Sequence, residues 1–64
     1  MRFLKLHYKS GEPLWINADY IAAIERSRKG ATAVYFTADR MEMWLTVKES
    51  PERIVELIRQ SEQK

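Results

Sequence analysis

The stretch "WINADYIAAIERSRKG", residues 15–30, decides the fold, because it reads either as an amphipathic helix or as a strand, a turn and a second strand. A helix has arguments in its favour. Asn17 suits an N-cap, Asp19 suits a first turn and Gly30 suits a C-terminal stop. The apolar positions argue against it. Ala18, Tyr20, Ile21, Ala22, Ala23 and Ile24 together cover most of a helix circumference, and the polar residues bunch in "ERSRKG". A helix apolar nearly all round needs burial on every side, which a chain this short does not supply. Split in two, the stretch makes sense. "NADY" is a polar turn or a single helical turn, and "IAAIERS" is a strand with Ala22, Ile24 and Arg26 on one face.

Outward from that stretch, period two dominates. In "RFLKLHYK" Leu4, Leu6 and Tyr8 face one way and Phe3, Lys5 and His7 the other, the mark of a half-buried strand. Gly11 and Pro13 in "KSGEP" make a turn, and "LWIN" is a short return strand. "SRKGAT" closes a further hairpin at Gly30. "TAVYFTA" puts Val34 and Phe36 opposite Ala33 and Tyr35, and after the turn "ADR" the strand "MEMWLTV" sets Met41, Met43, Leu45 and Val47 against Glu42, Trp44 and Thr46. The last element is the clearest. In "ESPERIVELIRQ" Ser50 is an N-cap, Pro51 takes the first helical position, Glu52 lies in the first turn, and Ile54, Leu57, Ile58 and Ser61 recur at helical spacing. "SEQK" is expected to fray.

The expected fold is α+β: one domain over residues 1–64, an antiparallel meander of four to five strands, flat or curled into a barrel-like sheet, with one C-terminal helix. The expected core is Leu4, Leu6, Ile16, Ile24, Val34, Phe36, Met43, Leu45, Ile54, Leu57 and Ile58, with Ile54, Leu57 and Ile58 all buried on the sheet.

Composition narrows the function. A 64-residue chain buries only about 60% of its unfolded surface and is marginally stable without some addition. It has no cysteine and one histidine, His7, so disulfides, thiolate metal sites and a histidine-based metal centre within one chain are all excluded. Oligomerisation remains as the way to add buried area. The 45% hydrophobic and 31% charged balance is that of a globular chain. No apolar run nears the roughly 20 residues of a membrane span, and "MRFLKLHYK" has charges where a signal peptide has an apolar stretch, so a cytoplasmic protein is expected. Net charge is +2, with +3 on residues 1–30 and −1 on residues 31–64.

The run "LWINADYIAAIE", an apolar strand, and "WLTVKESPERIVELI" together resemble the small flagellar FlbD (swarming-motility) family, at Ile16, Asn17, Ile21, Ile24, Glu25, Val47, Glu49 and Ser50. The chain departs from that family before its last strand, where "TADRMEM" stands in place of the usual glycine turn. The resemblance implies a small accessory or regulatory protein and carries over no catalytic residue. More faintly, the "I-x-x-I-E" rhythm is similar to LytTR-type DNA-binding domains.

No phosphate-binding glycine loop, nucleophile triad or metal spacing occurs, and no cofactor is implied. His7 as a general base lacks a positioned partner beside Lys5 and Lys9, and reads as a solvated residue. Asp39 and Glu42 around Arg40 form an acid/base pair only on paper, and read as a hairpin end. The informative feature is aromatic. If Val34, Phe36, Met43 and Leu45 face the helix, then Phe3, Trp15, Tyr35 and Trp44 face away from it. Three readings compete: the interior of a curled barrel, a subunit interface, or a stacking platform for nucleic-acid bases with Lys5, Arg26, Arg28 and Lys29 on the phosphates. The expectation is a non-catalytic, self-associating interaction module, a homo-oligomer or the partner of another protein. A small nucleic-acid-binding protein is the alternative.

Overall fold

The computed structural model describes residues 2–27, 29–38 and 41–62, apart from the side chains of Ala38, Met41 and Glu42. Along the chain run β1 (Phe3–His7), β2 (Pro13–Asn17), a 3-10 turn (Ala18–Tyr20), β3 (Ile21–Arg26), β4 (Thr32–Ala38), β5 (Met41–Val47) and α1 (Pro51–Glu62). The described residues make an α+β fold of five antiparallel strands with one C-terminal helix.

The strands form two sheets rather than one meander. One is the hairpin β1–β2, and the other has the order β3-β4-β5. The break falls at "NADY". Asn17 caps the 3-10 turn by accepting from the Asp19 N–H at 2.9 Å, and the turn carries the chain from the first sheet to the second. Of the two ways to read residues 15–30, strand, turn and strand is the one adopted. The sheets touch at one corner, where Tyr8 bridges Val47 and the Lys48 N–H donates to the His7 carbonyl at 2.8 Å. They do not close into a barrel.

A bulge sits at the start of β3. Ile21 pairs with Phe36 and Ala23 with Tyr35, so Ala22 is the extra residue. Ile21 and Ile24 therefore both pack on the core although they are three residues apart. This corrects the simple alternation that puts Ala22 with Ile24; Ala22 is exposed. Gly11 and Gly30 take positive φ, +99° and +77°, in the first and second hairpin loops, where other residues are strained.

The core lies between α1 and the sheets, with the helix over β1 and β3. Leu4, Leu6, Ala18, Val34, Val47 and Ile54 are buried, and Ile16, Ile24, Phe36, Leu45, Leu57 and Ile58 pack around them half-buried. Two expectations change. Met43 is exposed, because it lies towards the end of β5 away from the Tyr8–Val47 corner. Of the three helix residues expected to be buried, Ile54 is fully so, while Leu57 and Ile58 are half-buried. Val47 and Thr32 are buried beyond the expected set. The Thr32 hydroxyl is accommodated because it donates to the Glu49 carbonyl. Ser50 caps α1 by accepting from the Arg53 N–H at 3.0 Å. Ion pairs tie the helix ends to their surroundings, Glu52 to Arg26 on β3 and Glu62 to Arg2 just before β1. Both are exposed and add little stability. No helix among the described residues is long and apolar enough to cross a membrane.

Candidate functional site

Alternation along β4 and β5 sends Tyr35 and Trp44 to the outward face of the three-stranded sheet, directly opposite each other in the register. Their ring centroids are 6.4 Å apart with planes tilted by 35°, within the range of favourable aromatic pairs. The Tyr35 hydroxyl donates to Glu25 Oε1 at 3.0 Å across the sheet. That hydrogen bond, with the charge of Glu25, pushes the phenol above its ordinary pKa and keeps it a donor. Beside the pair is a shallow, mostly apolar groove of about 360 Å³, lined by Ala22, Tyr35, Phe36, Thr37, Met43 and Trp44.

Phe3 and Trp15 project from the outward face of the other sheet. The register sets Trp15 opposite Lys5, two residues along from Phe3, and the Lys5 ammonium lies 5.6 Å from the Trp15 ring centre. This is a cation–π contact. All four aromatic residues are open to solvent: Phe3 by 55%, Trp15 by 59%, Tyr35 by 37% and Trp44 by 65%. A barrel interior is therefore overturned, since that reading needs them enclosed. They also do not make a single cluster. They lie two on each sheet, and among the described residues the ring contact is that of Tyr35 with Trp44.

The basic residues of the alternative reading are dispersed. Lys5 is engaged with Trp15, and Arg26 is paired with Glu52 at the start of α1. Lys29 lies in a separate groove with Lys9 and Lys48. Arg28 lies outside the described residues, as do Asp39, Arg40 and the side chain of Glu42 from the carboxylate pair.

His7 is not the solvated residue that its neighbours implied. Its backbone N–H reaches Glu49 Oε1 at 2.9 Å, and its ring Nδ1 lies 2.7 Å from Glu49 Oε2. A base oriented by a carboxylate is half of a catalytic arrangement. Here both carboxylate oxygens are held by one residue, and neither groove is lined by His7. The pair joins β1 to the segment before α1. Nothing in the sequence marked it, because the partners stand 42 residues apart. Among the described residues no group of His, Cys, Asp and Glu is placed to hold a metal ion. No protein-family model, curated protein or solved structure matches this chain.

Proposed function

We propose that this chain is a non-catalytic interaction module that associates with a second copy of itself through the outward face of β4 and β5. The observation that carries the reading is that the exposed Trp44 is itself one of the residues lining an apolar groove. A projection next to a recess is self-complementary. A two-fold axis near Trp44 places each indole in the other copy's groove, with Met43 and Tyr35 around it. Trp and Tyr are the residues that anchor such centres, each burying about 150–250 Å².

Surface area points the same way. The chain exposes 4959 Å², against about 4300 Å² expected from its mass by the scaling of monomeric proteins. A standard interface covers about 800 Å² of each partner, roughly a sixth of this surface. Trp15 is the weaker anchor, because Lys5 already covers part of its ring. The reading agrees in class with the FlbD resemblance, which implies a small accessory or regulatory protein.

Sedimentation velocity over a concentration series tests it. The parent's sedimentation coefficient should rise with concentration. Trp44→Ala should weaken association by at least about thirtyfold, the effect of losing an anchor of about 2 kcal/mol. Trp15→Ala should do less. A parent that stays monomeric at high micromolar concentration, with Trp44→Ala indistinguishable from it, would remove the self-association.

A further inference from the structure

Three lysines that are far apart in sequence meet at one end of the molecule. Lys9 belongs to the β1–β2 turn, Lys29 to the β3–β4 turn, and Lys48 follows β5 directly. The topology brings them together. The Tyr8–Val47 bridge sets the end of β1 against the end of β5, and the Thr32–Val47 pairing sets the β3–β4 turn beside both. Between them is a groove of about 210 Å³, lined by Lys9, Lys29, Gly30, Ala31 and Lys48.

Among the described residues the lining contains no carboxylate and none of the three lysines takes part in an ion pair. Arg2, Arg26 and His7 each have an acidic partner. Glu49, the carboxylate next to Lys48 in sequence, is turned inwards to His7. Three lysines lining one recess concentrate positive charge at that end of the molecule, and a bound anion offsets it. The groove, about 210 Å³, is large enough to admit a phosphoryl group. Lysine binds phosphate as a flexible point charge and needs no planar fork.

We propose that the groove between Lys9, Lys29 and Lys48 is a binding site for a phosphoryl oxyanion. The site uses none of the residues assigned to self-association and lies at the turns, so each reading can fail without the other. The anion is either a free phosphate compound or a phosphodiester of single-stranded nucleic acid, and the test separates the two sources.

Amide chemical shifts of the full chain are followed by NMR at low ionic strength, in one arm with sodium pyrophosphate and in the other with a short oligothymidylate. Saturable shifts at Lys9, Lys29, Gly30 and Lys48 are expected. A free phosphate source gives pyrophosphate binding at least as tight as the oligonucleotide. A nucleic-acid source gives tighter oligonucleotide binding, whose log K falls against log salt with a slope of about −2, the value for three contacts on a single strand. Lys48→Gln should weaken either by about tenfold, the effect of one charge-assisted hydrogen bond, and Lys48→Arg should restore most of it. The proposal is overturned if neither probe moves these amides, or if the triple variant Lys9→Gln, Lys29→Gln, Lys48→Gln binds as the parent does.

Discussion

Glu49 accepts two hydrogen bonds from His7, one from the backbone N–H and one at the ring Nδ1. The carbonyl of the same glutamate accepts from Thr32 on β4. One residue thus holds the end of β1, the start of β4 and the approach to α1. Burial works against the charge of Glu49, but the hydrogen bonds from the His7 ring and backbone outweigh it, so its carboxyl sits below the ordinary value. A carboxylate lowered in this way stabilises the fold fully above its unfolded pKa, about 4.3. The contribution is lost as pH falls through the lowered, folded value. Stability of the parent to urea should therefore begin to fall as pH drops through the unfolded value, about 4.3, and go on falling until the lowered, folded value is passed. Glu49→Gln should be less stable near neutrality by about 1.5 kcal/mol and show a flatter acid limb. Parallel pH profiles for parent and variant would contradict the assignment.

The helix packing makes a graded prediction. Ile54 is fully buried, Leu57 is half-buried and Val55 is exposed. Ile54→Ala should cost about 2–5 kcal/mol, close to the whole stability expected of so small a domain. Leu57→Ala should cost less and Val55→Ala least. Thermal melts of the three variants check the order, and a Val55 variant as damaging as the Ile54 one would misplace the helix face.

Much of this arrangement was legible in the sequence. Alternation identified β1, β4 and β5 and the outward position of the four aromatic residues, and the cap at Ser50 placed α1. The helix-like "I-x-x-I" in residues 21–24 had another origin, the bulge at Ala22, which turns Ile21 and Ile24 to the same side. A bulge leaves no local composition signal, so periodicity alone could not separate it from a helical turn. The division into two sheets was equally hidden. It depends on a 3-10 turn that redirects the chain, and a short polar turn reads the same whether it continues a sheet or ends one. The lysine groove and the His7–Glu49 clamp are products of that division, since both form where the two sheets meet.

The N-cap of α1 gives an independent local test. Ser50 Oγ accepts from the Arg53 N–H and satisfies a donor at the helix start. Ser50→Ala should cost about 1 kcal/mol and Ser50→Asp should cost little, since aspartate caps as well. Chemical denaturation of the pair measures both. Equal losses in the two variants would mean that the cap contributes nothing.

Self-association through Trp44 is the central claim, and the indole N–H resonances of the two tryptophans test it most directly. In an NMR dilution series the Trp44 indole should shift with concentration, together with the amides of Tyr35 and Met43 that border the same groove. The Trp15 indole, on the other sheet, should move less. Spectra that superimpose from low to high micromolar concentration would contradict the account, and so would shifts confined to α1.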